Sequence, residues 1–287
     1  MGSPPTDGLL LVDKPAGMTS HDAVGIARRA LGERRVGHAG TLDPFATGLL
    51  VLLVGRATRL LPYLEGEPKV YDATIRFGSE TDTDDLTGAP IRTAAPPTDA
   101  GVRTAIGGLT GAIVQHPPQY SAKQVAGRRA YAAARRGESV ELVPVTVIVH
   151  AWTIHGWRGA DLDVTITCGG GTYIRALARD SGRAAGSAAH LAALRRTRSG
   201  PFDVAQAVTT EQLREGEAPL HSPLAGLGTL ARQTLDEADI ARVTHGNPAA
   251  ATVDGERAAL IDATQTLVAI AERDGSLWRP RVVLREP

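Results

Sequence analysis

Cysteine is nearly absent. Cys168 is the one cysteine in 287 residues, so no intramolecular disulfide can form. A reducing, cytoplasmic setting is expected, with Cys168 as a small buried apolar residue rather than a nucleophile. No Cys-His cluster exists and the eight histidines are scattered, so no metal site is expected. Long apolar runs are missing too. The run at 49–54 has six residues, far short of a membrane span, and the N-terminus lacks a basic-then-apolar leader pattern. GxGxxG, GK[ST] and GxSxG strings are all absent, which argues against a dinucleotide site, a P-loop and a serine-hydrolase elbow. Net charge is absent as well, with 31 basic residues against 31 acidic ones. Only three of the basic residues are lysines, which points to a GC-rich genome more than to a function.

Charge is present locally. Residues 121–137 hold Lys123, Arg128, Arg129, Arg135 and Arg136 and no acid. Residues 175–198 hold six bases and one acid, Asp180. Two such segments suit a phosphate backbone. The acids gather at 82–85 and 236–239, and those runs read as solvated faces.

The most informative stretch is GHAGTLDPFATGLL at 37–50. Pro44 holds Asp43 in extended geometry and donates no backbone hydrogen bond. Gly37, Gly40 and Gly48 permit tight turns on both sides. The apolar run that follows reads as a buried strand. A carboxylate therefore rides a stiff loop that feeds the core. A lone Asp-Pro is usually a turn, but His, Thr, Asp and three glycines together mark a site.

Elsewhere the pattern predicts a strand over 8–13, a helix over 21–31 capped by Thr19-Ser20, and a short helix over 57–64. Residues 69–78 alternate as a strand with Tyr71, Ala73, Ile75 and Phe77 on one face. A turn at 82–88, a helix over 98–109 and a strand over 112–115 follow. Residues 119–137 carry a helical part, 127–136, without a broad apolar stripe, as a protruding segment would. Paired strands cover 143–157 and 161–168. Three glycines, 169–171, precede a helix near 173–186 and could cradle a phosphate. A strand over 188–198, a short helix over 209–214 and three short C-terminal strands complete the reading.

The 37–50 stretch resembles the catalytic motif of bacterial tRNA pseudouridine-55 synthases, the TruB family. LLLVDKPAGMTSHD precedes it, and KVYDATIRFGSETDTDDLTG, PPQYSAKQVAGRRAYAAARRG and CGGGTYIRALARD follow in family order. The resemblance implies an α+β fold: a catalytic domain over 1–226 with a mixed, largely antiparallel sheet flanked by helices. HGNP at 245–248 and the terminal WRPRVVL imply a small β-rich, PUA-like RNA-binding domain over 227–287.

It also implies an isomerase that converts uridine 55 in the T-loop of tRNA to pseudouridine. Its partner is tRNA, without guide RNA, cofactor or membrane, and the protein acts as a monomer. The same contacts would let it assist tRNA folding. Asp43 is the implied nucleophile, attacking either C1′ or the pyrimidine ring. Arg175 is its implied partner, although a phosphate contact is the alternative. Tyr71 would stack on the base and help remove the C5 proton, where a plain reading makes it a core aromatic. Tyr173 and Leu194 would wall the pocket, and His38 would meet the flipped nucleotide. Lys123, Arg128 and Arg129 fall on a thumb-like insertion that closes on the RNA, while Lys14 supports the catalytic loop. A non-catalytic RNA-binding protein, a guide-RNA-dependent relative and a hydrolase are the competing readings. The trio Asp43, Tyr71 and Arg175 argues against the first, and the insertion at 119–137 against the second.

Overall fold

The computed structural model describes residues 7–64, 66–119, 124–125, 128–129 and 142–286. The chain divides into two compact units. The first comprises Met1–Pro44, Gly48–Gly66 and Gly200–Pro287, and the second Phe45–Thr47 and Glu67–Ser199.

In the first unit the strand Gly8–Lys14 is apolar on both faces, and Leu9, Leu10, Leu11 and Val12 are all buried. It pairs antiparallel with Thr47–Val54, with Leu11 opposite Val51, and parallel with Val208–Thr209. The short strand Val36–His38 lies antiparallel on Thr47–Val54 and places His38 opposite Leu52. The helix Ser20–Leu31 begins at a capping box. The Thr19 hydroxyl accepts from Asp22 N, and the Asp22 carboxylate accepts from Thr19 N. It ends where Gly32 adopts a left-handed conformation at φ 63°. The helix expected over 57–64 is instead a 3-10 helix, Gly55–Tyr63, with Pro62 inside it.

The C-terminal residues build a five-stranded sheet in the order Ala231–Thr234, Arg257–Ile261, Leu267–Asp274, Leu277–Val283, Ala249–Ala250. One apolar core joins its Ala259, Ile261, Ile270 and Val282 to Leu9, Leu11, Leu49, Val51 and Leu53. A second core around Trp278 packs Ile240 and Val243 of the helix Glu237–Thr244 against the sheet.

The second unit contains five antiparallel strands in the order Ala189–Ser199, Lys69–Phe77, Asp161–Cys168, Val145–Arg158, Gly111–Gln115. Along Lys69–Phe77 the expected alternation holds: Tyr71, Ala73, Ile75 and Phe77 are buried, and Asp72 and Arg76 are exposed. Tyr71 lies opposite Ile166 on one neighbour and Arg196 on the other. The helices Asp99–Gly108 and Ile174–Ala184 belong to this unit. Arg128–Arg129 is a two-residue strand paired with Gln124–Val125, not the helix expected there. Lys123 and most of 119–137 lie outside the described residues. Among the described residues no helix is long and apolar enough to cross a membrane.

Candidate active site

The Asp43 loop is clamped on both sides of the carboxylate. On one side, Ser20 Oγ donates to Leu42 O at 3.0 Å and accepts from Leu42 N at 2.9 Å. On the other, Pro44 O accepts from Gly17 N at 2.8 Å and from Lys14 Nζ at 3.4 Å. Lys14 is fully buried, and its ammonium also donates to Pro15 O at 2.9 Å and Met18 O at 2.7 Å. Gly40 and Gly48, at φ 96° and 99°, turn the chain on each side in a conformation that a β-carbon would strain. Asp43 itself is half-buried, as is His38. The first unit thus holds the carboxylate, the histidine and the buried lysine.

The second unit holds Tyr71, Tyr173, Arg175 and Leu194. Tyr71 and Leu194 are each 7% exposed. Leu194 faces a groove of about 350 Å³, which Phe45, Thr47, Ala73, Leu86 and Arg195 also line. Phe45 and Thr47 follow directly on Asp43-Pro44, and Thr47 Oγ1 donates to Leu194 O at 3.4 Å. Tyr173 precedes the helix Ile174–Ala184. The fully buried Gln115 amide accepts from Tyr173 N at 2.8 Å and donates to Tyr173 O at 3.1 Å. Arg175 is buried at the start of that helix. Its Nη1 donates to Thr83 O at 3.0 Å and lies 3.5 Å from Asp85 Oδ2. Asp85 Oδ1 in turn accepts from Thr83 Oγ1, Thr87 N and Thr87 Oγ1 at 2.8, 2.9 and 2.6 Å.

Three expectations are corrected here. The acids at 82–85 are not all a solvated face. Asp84 and Asp85 are 6% and 4% exposed, because arginines of the helix Ile174–Ala184 meet them. Conversely, the basic run 175–198 is only partly available to a phosphate backbone. Arg175, Arg179 and Arg196 are buried, and Arg183 is paired with Glu80. The glycines before the helix are taken by the chain's own carboxylate, since Gly170 N donates to Glu67 Oε1 at 2.5 Å. A β-carbon on Gly170 would lie 2.4 Å from that same oxygen. Glu67, Asp84, Asp85, Gln115 and Arg179 were not picked out from the sequence. The one local signal was the Arg175/Arg179 spacing of four, which puts two guanidiniums on one helix face.

Cys168 is fully buried, and burial pushes its thiol up to about 11, so it is a packing residue. Among the described residues no group of three or more His, Cys, Asp or Glu side chains is placed to hold a metal ion.

A family model described as TruB family pseudouridylate synthase (N terminal domain) matches residues 28–174, and one described as tRNA pseudouridylate synthase B C-terminal domain matches 175–222. The chain belongs to the TruB family. It is 45% identical over 294 residues to tRNA pseudouridine synthase B of Paenarthrobacter aurescens (strain TC1), covering 96% of this chain and 94% of that one. It is 47% identical over 289 residues to the protein of the same name from Thermobifida fusca (strain YX), covering 96% and 98%. The fold is shared with a chain in the crystal structure of a Cbf5-Nop10-Gar1 complex, with a TM-score of 0.72 at 23% identity over 98% of this chain and 86% of that one. As a TruB-family pseudouridylate synthase the chain is an isomerase, as the five sequence matches implied.

Proposed function

We propose that this TruB-family chain converts uridine 55 in the T-loop of tRNA to pseudouridine, acting alone and as a monomer in the cytoplasm. The observation that carries this reading is the GTLDP loop, with Asp43 between two clamped residues, in a chain matched by both TruB family models. The curated relatives carry tRNA in their names, and they align over nearly their whole length.

The reaction breaks the N1–C1′ glycosidic bond and forms a C5–C1′ bond, while the C5 hydrogen leaves and N1 gains one. Atoms and charge balance within the nucleotide, so it needs no net oxidant, reductant or second substrate. Asp43 attacks C1′ or the ring and later departs. Arg175 is the cation assigned to the Asp43 charge, which would hold the carboxylate ionised. Extruding the base costs a few kcal/mol, which stacking on Tyr71 and contacts with Tyr173, Leu194 and His38 offset. The Tyr71 hydroxyl assists loss of the C5 proton. Lys14 keeps the loop in shape rather than touching RNA. Lys123, Arg128 and Arg129 meet phosphates, which position the RNA without reading its sequence. The 227–287 segment adds RNA contacts as a PUA-like appendage.

The test is chemical or mass-resolved mapping of pseudouridine in a tRNA transcript incubated with the purified protein alone. Pseudouridine at position 55, and no other product, is expected. An unmodified transcript, or modification that appears only with a guide RNA, would overturn the reading.

A further inference from the structure

The helix Ile174–Ala184 sends two buried arginines, one turn apart, into the same acidic turn. Arg175 reaches Asp85, as described above. Arg179 reaches Asp84, with Nη1 to Oδ2 at 2.8 Å. Arg179 makes three further hydrogen bonds among the described residues. Nη2 donates to His116 O at 2.9 Å and to Asp180 Oδ2 at 3.2 Å, and Nε donates to Asp180 Oδ1 at 2.8 Å. Both Asp84 and Arg179 are buried, at 6% and 7% exposed.

Asp84 also carries unusual backbone. Its φ is 60°, a left-handed conformation that an aspartate tolerates at a modest cost. Something must hold it there. Asp84 N donates to Thr81 O at 3.1 Å, and Asp84 O accepts from Leu191 N at 3.0 Å. Two residues on, Leu86 N donates to Leu191 O at 2.9 Å. The turn is thereby stitched to the strand Ala189–Ser199, the strand that carries Leu194. One Nη1 donor of Arg179 holds the Asp84 side chain, while the guanidinium itself is anchored by the two-pronged contact of Nε and Nη2 with Asp180, and the adjacent residue is Asp85.

We propose that Asp84 and Arg179 are positioning residues of the isomerase, holding the turn at 82–88 in the conformation that keeps Asp85 on Arg175. The proposal rests on the reading of Arg175 as part of the catalytic site. A buried ion pair is weak as a source of stability, because the desolvation of both charges offsets much of their attraction. It is strong as a source of geometry, because a guanidinium held by three partners leaves its carboxylate one place to sit. Burial in fact lifts the Asp84 carboxyl to about 6, against the opposing pull of Arg179 and Arg175. Glu80 and Arg183 also act on it, in opposite senses. A pair that sits at such a cost beside the Arg175 contact fits a role in placement.

The experiment compares turnover of a tRNA transcript by wild type, Asp84→Asn, Arg179→Lys, Arg175→Lys and the double variant Asp84→Asn/Arg175→Lys. Rates are referred to the folded fraction measured by urea unfolding. Arg179→Lys keeps the charge and loses the planar guanidinium that joins Asp84, His116 O and Asp180, so it decides the matter should Asp84→Asn fold poorly. Each single change at 84 or 179 is expected to lower kcat about tenfold, with KM within about twofold, as a small misplacement near the chemistry does. In the Arg175→Lys background the Asp84→Asn change should cost little more, because both act through one contact. A merely structural role would instead multiply the two losses. Full kcat in a folded Asp84→Asn or Arg179→Lys enzyme, or fully multiplicative losses in the double variant, would overturn the proposal. Wild-type turnover by Arg175→Lys would instead overturn the assignment of Arg175. A loss at Arg175 with none at 84 or 179 would remove the positioning role alone.

Discussion

Asp43 sits between Leu42 and Pro44, and each of these is held by a different part of the chain. The carboxylate is thus placed by its neighbours' backbone, and an isosteric change should leave that placement intact. Asp43→Asn is expected to abolish isomerisation while tRNA affinity stays within about tenfold, since binding rests on many contacts. Filter binding and product mapping on the same preparation, checked for deamidation, measure both. Normal turnover would remove Asp43 as the nucleophile. Tyr71→Phe keeps the ring and removes the hydroxyl. If the hydroxyl assists proton removal, turnover should fall by about 10²-fold or more with little change in affinity. An active Phe enzyme would leave Tyr71 a stacking role only. Asp84 gives a prediction in pH. Its native pKa, about 6, lies above the ordinary 3.8, so the folded state binds the proton more tightly than the unfolded one. The contribution of this group to stability therefore falls as pH rises from about 4 through 6. Relative to Asp84→Asn, wild type should lose roughly 1 kcal/mol between pH 5 and pH 7. Urea unfolding of both proteins at the two pH values reads this, and a gap that stays constant or moves the other way would contradict it.

At the scale of elements, the Lys14 ammonium ties the end of one strand to the loop after another. It reaches the carbonyls of Pro15, Met18 and Pro44 from a fully buried position. Lys14→Met keeps the length and removes the donor. It should destabilise the fold by about 1–3 kcal/mol, the cost of leaving buried polar groups without this partner. Turnover should fall further than the folded fraction does, because Pro44 is the residue after Asp43. Thermal unfolding with kcat on the same samples separates the two effects, and kcat that simply tracks the folded fraction would leave Lys14 no part in placing the loop. The strands at 8–13 and 49–54 and the helix at 21–31 were legible in the sequence, because their signals are local, whereas the three-residue strand Val36–His38 was not read. The Thr19-Ser20 cap, the apolar 49–54 run and the alternation around Tyr71 each lie within a few residues. What stayed hidden depends on partners distant in sequence. Asp84 reads as a surface acid until Arg179, 95 residues away, is seen beside it. The glycines at 169–171 read as an anion cradle until Glu67, about a hundred residues earlier, fills it. Asp236, read as part of a solvated run, caps the helix Glu237–Thr244 through Asp239 N. The strand Ala231–Thr234 escaped notice because ARQT has no period of its own, and its pairing with Arg257–Ile261 makes it one.

For the whole molecule the charge balance sets the terms of RNA binding. The net charge is zero, so long-range attraction of a polyanion is weak and binding must come from local groups of arginine and lysine. Burial removes Arg175, Arg179 and Arg196 from that supply. The 121–137 segment, with five bases and no acid, is then an acid-free basic stretch left to meet phosphates. Replacing Arg128, Arg129, Arg135 and Arg136 together with Gln removes four charges from it. Affinity for any stem-loop RNA should weaken, and the plot of log K against log salt should become shallower. Each lost phosphate contact should change the slope by about 0.7 to 0.9. Turnover at saturating RNA should suffer less than affinity, because Asp43, Tyr71 and Arg175 lie on other segments. A solvated arginine face with no RNA contact gives unchanged affinity and parallel, superimposed lines. A salt titration of wild type and the Gln variant with one tRNA transcript distinguishes the outcomes, and superimposed lines would take phosphate binding away from this segment.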